Sequence, residues 1–254
     1  MGRTRRPRLR ALAEELARRH TEITDPSELI AAGEVLVDGI VNRNPASLVR
    51  RGASITLRMR RPLRGETKLR AALAAFGVAV EGRVALDAGA AAGGFTRVLL
   101  EHGASRVYAV DAGYGQLLGS LRQNPRVINL ERVNVAALDV ELVPDGIELI
   151  TVDLSYVSLA RAVPQLAALR IHPNADLVAL VKPMFELGLP HPPTDATALA
   201  ASLDHARQGI EACDWCVVAS TRSPVRGSRG AIEYLLHARR AKAQAGTTSP
   251  RSQR

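Results

Sequence analysis

From Lys68 onward the chain repeats one pattern: a short apolar run, a turn rich in Gly or Asp, then a stretch with apolar residues three and four apart. This alternation of strand and amphipathic helix constrains the fold more than any other feature. Parallel strands need crossover connections, and a parallel sheet must be covered on both faces. The spacing predicts strands at 83–87, 106–111, 126–130, 147–153 and 176–182, with two more at 215–221 and 231–237. Helices are expected at 68–76, 94–102, 115–121, 158–169 and 197–213. The expected fold is a Rossmann-like α/β sheet with helices on both faces, whose ligands gather at the carboxyl ends of the strands.

The first sixty residues read differently. Residues 11–19 have helical spacing, and Asp25-Pro26 opens a second helix over 27–32. Residues 34–37 and 40–43 flank Asp38-Gly39, a hairpin signal, and 53–59 alternate as another strand. This small α+β module, 1–60, carries Arg43, Arg50, Arg51, Arg58, Arg60 and Arg61, and a linker is expected over 61–67. Net charge is +9, unevenly distributed: residues 1–64 hold fourteen Arg against seven acids, 65–220 are net acidic, and 221–254 hold eight cations against one acid. Basic ends around an acidic middle suit a polyanion at the termini, and solvated Arg-rich ends are the alternative for the last fifteen residues. Apolar runs such as Leu177 to Val181 fall far short of the ~20 residues that cross a bilayer, and the Arg-rich start lacks a hydrophobic signal core. The expectation is a cytoplasmic protein without a membrane partner, ending in a disordered basic tail over 239–254.

Of 34 basic residues only Lys68, Lys182 and Lys242 are lysine. Only Lys offers an amine that can work as a base, so Lys68 and Lys182 are candidates for chemistry. Lys182 ends an apolar strand, and Asp153 ends the neighbouring one. Strands lie roughly 5 Å apart, which brings the two together as a catalytic or a structural pair. The run Asp87-Ala88-Gly89-Ala90-Ala91-Ala92-Gly93-Gly94-Phe95 joins the first strand to a helix, where glycines permit close backbone approach to a ligand. It lacks the G-x-G-x-x-G spacing of dinucleotide sites. Asp111, 24 residues after Asp87, ends the second strand, where a carboxylate accepts from ribose hydroxyls or is simply solvated. Cys213 and Cys216 supply only two of the four ligands of a structural zinc, the six histidines lack metal spacing, and no metal is expected. Both thiols are expected to be buried.

Seven blocks together resemble the TlyA-type rRNA 2′-O-methyltransferases, which join an S-four-like RNA-binding domain to an FtsJ-like methyltransferase domain. They are Arg64-Gly65-x-x-Lys68-Leu69, Leu86-Asp87-x-Gly89-Ala90-x-x-Gly93-Gly94-Phe95-Thr96, Asp111-x-Gly113-Tyr114-Gly115-Gln116-Leu117, Glu131-Arg132-x-Asn134, Asp153-Leu154-Ser155, Val181-Lys182-Pro183-x-Phe185-Glu186 and Glu233-Tyr234. The resemblance covers about residues 28–240. It implies transfer of a methyl group from S-adenosylmethionine to the ribose of cytidines in small- and large-subunit ribosomal RNA, on free RNA or ribosomal subunits. It also implies a catalytic tetrad at Lys68, Asp153, Lys182 and Glu233, with Lys182 as base and the two acids orienting it. The methyltransferase domain would span 68–238. Its cofactor contacts would come from Asp87, Gly89, Ala90, Gly93, Gly94, Phe95, Asp111 and Asn134, and Arg64 would join the module's arginines on RNA. Tyr114 and Phe185 are candidate stacking surfaces, with core packing the expected role of both.

Ala91 and Ala92 replace hydroxyl residues usual in the family, which removes hydrogen bonds from the cofactor side. Two other readings stand beside the leading one. One is an RNA-binding ribosome-assembly protein with a degenerate cofactor site, and the other is a methyltransferase of a small hydroxylated molecule.

Overall fold

The computed structural model describes residues 9–58 and 62–241, and the chain divides into two compact units at Arg61/Pro62. The small unit comprises β1 (Leu9–Ala11), α1 (Leu12–Arg19), α2 (Pro26–Ala31), β2 (Val35–Val37), β3 (Ile40–Asn42), β4 (Leu48–Arg50) and β5 (Ile55–Leu57). Asp25 caps α2 by accepting from the Glu28 amide at 2.9 Å, with Pro26 in the first turn. Asp38 and Gly39 both take positive φ, as a two-residue hairpin requires, and β2 pairs with β3 on one side and β5 on the other. β1 and β4 form a separate antiparallel pair of three-residue strands, too short for periodicity to announce them. Leu12, Leu16, Ile30, Val35, Val49 and Ile55 form the core. Hydrogen bonds from Arg18 and Arg19 hold the Glu15 carboxyl down at about 2.

The large unit runs α3 (Arg64–Phe76), β6 (Val84–Ala88), α4 (Gly94–Glu101), β7 (Arg106–Asp111), α5 (Gly119–Arg122), β8 (Val127–Glu131), β9 (Ile147–Val152), α6 (Leu159–Ala162), β10 (Ile171–Val181), α7 (Pro183–Glu186), α8 (Ala196–Glu211), β11 (Trp215–Arg222) and β12 (Tyr234–Arg240). Its seven-stranded sheet has the order β11-β12-β10-β9-β6-β7-β8. Only β12 runs against its neighbours. Alternate residues serve opposite faces: Leu86, Tyr108, Ile150 and Leu177 pack with Leu159, Ala206 and Ile210, whereas Ala85, Val107, Leu149 and Val178 pack with Leu69, Leu73, Val98 and Leu99. Strand order reverses between β6 and β9, so a crevice opens beyond their carboxyl ends.

Several boundaries differ from the sequence-based expectation. The linker expected over 61–67 is largely the first turn of α3, because the Glu66 carboxylate turns back to accept from the Leu63 amide at 3.1 Å. The helix expected over 115–121 shrinks to Gly119–Arg122, behind a loop in which Gly115 has positive φ. Pro164 converts the second half of 158–169 to a 3₁₀ turn. Arg239 and Arg240, expected in the tail, pair within the sheet. Residues 242–254, with Lys242, lie outside the described residues, as do Met59, Arg60 and Arg61. Cys213 is half-buried and Cys216 exposed on the edge strand β11, so the thiols are not both buried.

Asp176 sits buried in mid-strand on β10, accepting from His237 Nε2 at 2.7 Å and Arg83 at 2.6 Å. Burial alone would raise its carboxyl, but these two donors outweigh it and hold the group at about 2. Asp176→Ala would leave the buried His237 and the Arg83 head without their acceptor. Urea denaturation at neutral pH is expected to show a loss of about 3–5 kcal/mol.

Candidate active site

The strand ends assemble the site. β9 and β10 are parallel neighbours, so Asp153 and Lys182, each one residue beyond its strand, emerge side by side. Glu233 reaches the same end because β12 runs the opposite way: its first residue, Tyr234, pairs with Val181. Lys68 arrives from the second turn of α3. The four meet. Lys182 Nζ lies 2.5 Å from Asp153 Oδ1, Lys68 Nζ lies 3.9 Å from Asp153 Oδ2, and Lys68 Nζ lies 2.7 Å from Glu233 Oε2. The side chains of Lys68 and Glu233 are 8% and 6% exposed, a degree of burial that ionised groups tolerate only when paired.

Glu233 therefore holds Lys68 and not Lys182. The second partner of Lys182 is the Ser155 hydroxyl, to which its Nζ donates at 2.6 Å. Ser155 follows Asp153 by two residues, the spacing that returns a side chain to one side of an extended segment, and this was the signal available in the sequence.

Two cavities flank the cluster. The first, of about 300 Å³, is lined by Gly89, Ala91, Val110, Asp111, Gly113, Gln116, Val133, Val135 and the 153–156 segment. Asp111 stands in its wall, accepting from the Ala91 amide at 2.8 Å and the Gly113 amide at 2.6 Å. The contribution of Ala91 is thus its N–H, presented from a left-handed conformation (φ 45°). The second cavity, of about 290 Å³, is lined by Ser155, Lys182, Phe185, Arg229, Ile232 and Glu233 among others. Ser155 belongs to both walls.

Of the other candidate cofactor residues, only Gly89 lines the first cavity. A side chain there would collide with the Asp153 carbonyl, so this glycine lets the turn after β6 lie against Asp153. The remaining ones do not line that cavity. Gly93 accommodates Leu117 and Leu121, Gly94 packs on the backbone of Gly65, and Phe95 is buried against Gly65. Ala90 is buried with the α3/α4 core, and Asn134 accepts from the Ala136 amide to start a 3₁₀ turn. Asp87 is fully buried and accepts from Thr96 and Thr151 hydroxyls at 2.6 and 3.0 Å, fastening α4 and β9 to β6. Arg64 lies on α3 of the large unit and donates to the carbonyls of Arg226 and Gly227, with 3.1 Å to the latter. Tyr114 is 64% exposed beneath the Arg132 guanidinium, 4.0 Å from its ring centre, and is not a core residue. Gln116 and Tyr156, both in the first cavity's wall, were missed: isolated polar and aromatic residues on loops carry no periodic signal.

A reversed-order α/β sheet, a nucleoside-sized cavity with a strand-end carboxylate, and a lysine–carboxylate cluster beside it define a Rossmann-like methyltransferase. The chain belongs to the FtsJ-like methyltransferase family, which it matches over residues 62–240. It is 40% identical over 222 residues to the 16S/23S rRNA (cytidine-2′-O)-methyltransferase TlyA of Mycobacterium tuberculosis, covering 83% of this chain and 81% of that one. The 23S rRNA (cytidine-2′-O)-methyltransferase TlyA of Campylobacter jejuni is 29% identical over 68% of this chain and 69% of its own. A solved structure of a provisionally named hemolysin from Streptococcus thermophilus superimposes with a TM-score of 0.68 at 29% identity, covering 92% and 89% of the two chains. Among the described residues no helix is long and apolar enough to cross a membrane.

Burial raises the Asp87 carboxyl to about 6 against the pull of its two threonine donors. A carboxyl raised on folding favours the native state most when protonated, so this contribution is present below pH 4 and is lost as pH rises through 6. The shift from 3.8 to about 6 corresponds to about 3 kcal/mol. Stability measured from pH 4 to 7 is expected to fall more steeply in the wild type than in Asp87→Asn, and parallel profiles would contradict the assignment.

Proposed function

We propose that this protein transfers a methyl group from S-adenosylmethionine to the ribose 2′-hydroxyl of cytidine in ribosomal RNA. The observation that carries the reading is the cluster in which Asp153 is flanked by Lys68 and Lys182 between two cavities, one for each reactant. The TlyA proteins it resembles are named for this reaction. The first cavity suits the donor. Its volume is within the range of small-ligand sites, Val110, Val133, Val135 and Leu154 offer apolar walls for a base, and Asp111 keeps acceptor capacity beyond its two amide bonds for a ribose diol. Gly89, Ala91 and Asp111 would hold it, and Asp87 supports them from behind. When bound, S-adenosylmethionine supplies a methyl group on a positively charged sulfur.

A ribose hydroxyl is a poor nucleophile, so what this chain must contribute is a group placed to take its proton. Lys182, in its amine form, takes that proton. Asp153 and Ser155 fix its Nζ from two directions. Lys68 lies on the other oxygen of Asp153 and is held there by Glu233, so the Asp153 carboxylate is shared between two nitrogens. Holding the acceptor nucleotide beside the bound methyl donor would add acceleration through proximity.

The small unit would grip RNA through Arg43, Arg50, Arg51 and Arg58, all exposed, joined by Arg60 and Arg61. Such binding weakens with salt and carries little base specificity. Ribosomal RNA or ribosomal subunits would be the partner, and the cytoplasm the compartment.

Incubation with labelled S-adenosylmethionine and ribosomal subunits or total RNA tests the proposal, with ribose methylation mapped by primer extension. Label confined to cytidine 2′-positions is expected, and unlabelled RNA would overturn it. Lys182→Ala should abolish transfer, a loss of at least about 10²–10⁴-fold, while cofactor binding by calorimetry stays near wild type. Asp111→Ala should do the reverse, weakening cofactor binding first.

A further inference from the structure

The loop between β11 and β12 forms one wall of the second cavity, and three arginines surround it. Two serve the loop itself. Arg64 donates to the carbonyls of Arg226 and Gly227, and Arg226 donates to the Gly230 carbonyl at 3.1 Å. Backbone bonds from Gly227 to Ala231 (2.8 Å) and from Ala231 to Ser228 (3.1 Å) close the loop on itself. It is also seated on the catalytic cluster, since Gly227 packs so close to Glu233 that a side chain there would collide with its carboxylate. The third arginine, Arg229, is different. It lines the cavity with Lys182, Ser155 and Glu233, and its guanidinium has no partner among the described residues.

Arg229 also has a left-handed backbone, φ 53° and ψ 28°, followed by Gly230 at φ 75°. Glycine would occupy position 229 without strain, so a long cation held there in a disfavoured conformation calls for an explanation at the site itself. Arg229 is exposed at the mouth of a cavity whose other lining is mostly apolar, with Phe185, Met184, Pro192 and Ile232, and none of its side-chain hydroxyls, on Ser155 and Ser228, carries a charge to pair with a guanidinium. The nearby acids are already taken: Glu233 by Lys68, and Asp153 by both lysines.

We infer that Arg229 is a clamp for a phosphodiester next to the ribose that receives the methyl group. The inference rests on the proposed RNA methylation and names the residue that would position the acceptor nucleotide. A guanidinium presents paired N–H donors that match two phosphate oxygens, and a rigid loop fixes their position relative to Lys182. The clamp would thus orient the sugar, while the apolar residues of the cavity contact its base. It adds a contact at the reacting nucleotide to the grip of the small unit's arginines.

The test compares wild type, Arg229→Gly and Arg229→Lys in steady-state methylation of ribosomal RNA at several salt concentrations, with thermal unfolding and S-adenosylmethionine binding measured on each. Glycine removes the charge while relieving the backbone strain, so its unfolding midpoint and cofactor affinity should equal or exceed those of wild type. Its kcat/KM for RNA should fall about 10- to 100-fold, the loss expected of one charge-assisted contact. Its salt dependence should become shallower by about 0.7 in log–log slope, the increment for one phosphate of a single strand. Lysine should restore part of the rate and most of the slope, because it keeps the charge and loses the paired geometry. Unchanged kcat/KM and slope in Arg229→Gly, with the wild type methylating RNA normally, would overturn the clamp alone. A wild type that transfers no methyl to RNA would overturn the proposed function and the clamp with it.

Discussion

The arrangement of the catalytic unit depends on one carboxylate shared by two lysines. Asp153 lies 2.5 Å from one Nζ and 3.9 Å from the other, in a place where the side chains of Lys68 and Glu233 are almost wholly removed from solvent. Both nitrogens converge on that one carboxylate, and Lys68, the more buried of the two, keeps a second counter-charge in Glu233. Four residues from four separate elements must therefore arrive together. Loss of Asp153 would take from Lys182 its one carboxylate partner in the cluster, and loss of Glu233 would leave the buried Lys68 with only the longer contact to Asp153.

The sheet supplies that convergence. Three of the four residues sit at strand ends on one edge of the crevice, and this is possible only because β12 enters the sheet in the reverse direction. A right-handed parallel crossover would have carried the start of β12 to the far end, with Glu233 on it. Glycine at 89 then allows the β6 turn to lie against the Asp153 carbonyl, and glycines at 65 and 94 let α3 and α4 cross in close contact. Lys68 rides on α3, so that helix crossing is part of the site's geometry even though none of its glycines touches a reactant cavity.

Much of this was legible in the chain before any coordinates. The strand over 106–111 coincides with β7, the two strand-end groups Asp153 and Lys182 stand out, and scarce lysines in an Arg-rich chain point to chemistry. What sequence does not carry is the direction of a bare Cα. Gly93 and Gly94 belong to a glycine turn of the kind that cradles ligands, but here the missing side chains make room for Leu117, Leu121 and the neighbouring helix. Nor does it carry pairing among like residues. The motif names Glu233 beside Lys68, Asp153 and Lys182, but its partner, Lys68, is decided by the distance between a helix and an antiparallel strand. The start of α3 was hidden for a different reason: Arg64-Gly65 reads as linker, and the local Glu66 bond that begins the helix is not announced by a Ser, Thr, Asp or Asn at position 63.

Ser155 belongs to the walls of both cavities and also binds Lys182. The partition between the two compartments is thus a single small residue thick at that point. The side chain that accepts from Lys182 also faces both cavities, so enlarging it would take space from them and displace the Lys182 amine in one stroke. Compartment size and the placement of the Lys182 amine are coupled through one hydroxymethyl group, and neither can drift independently of the other.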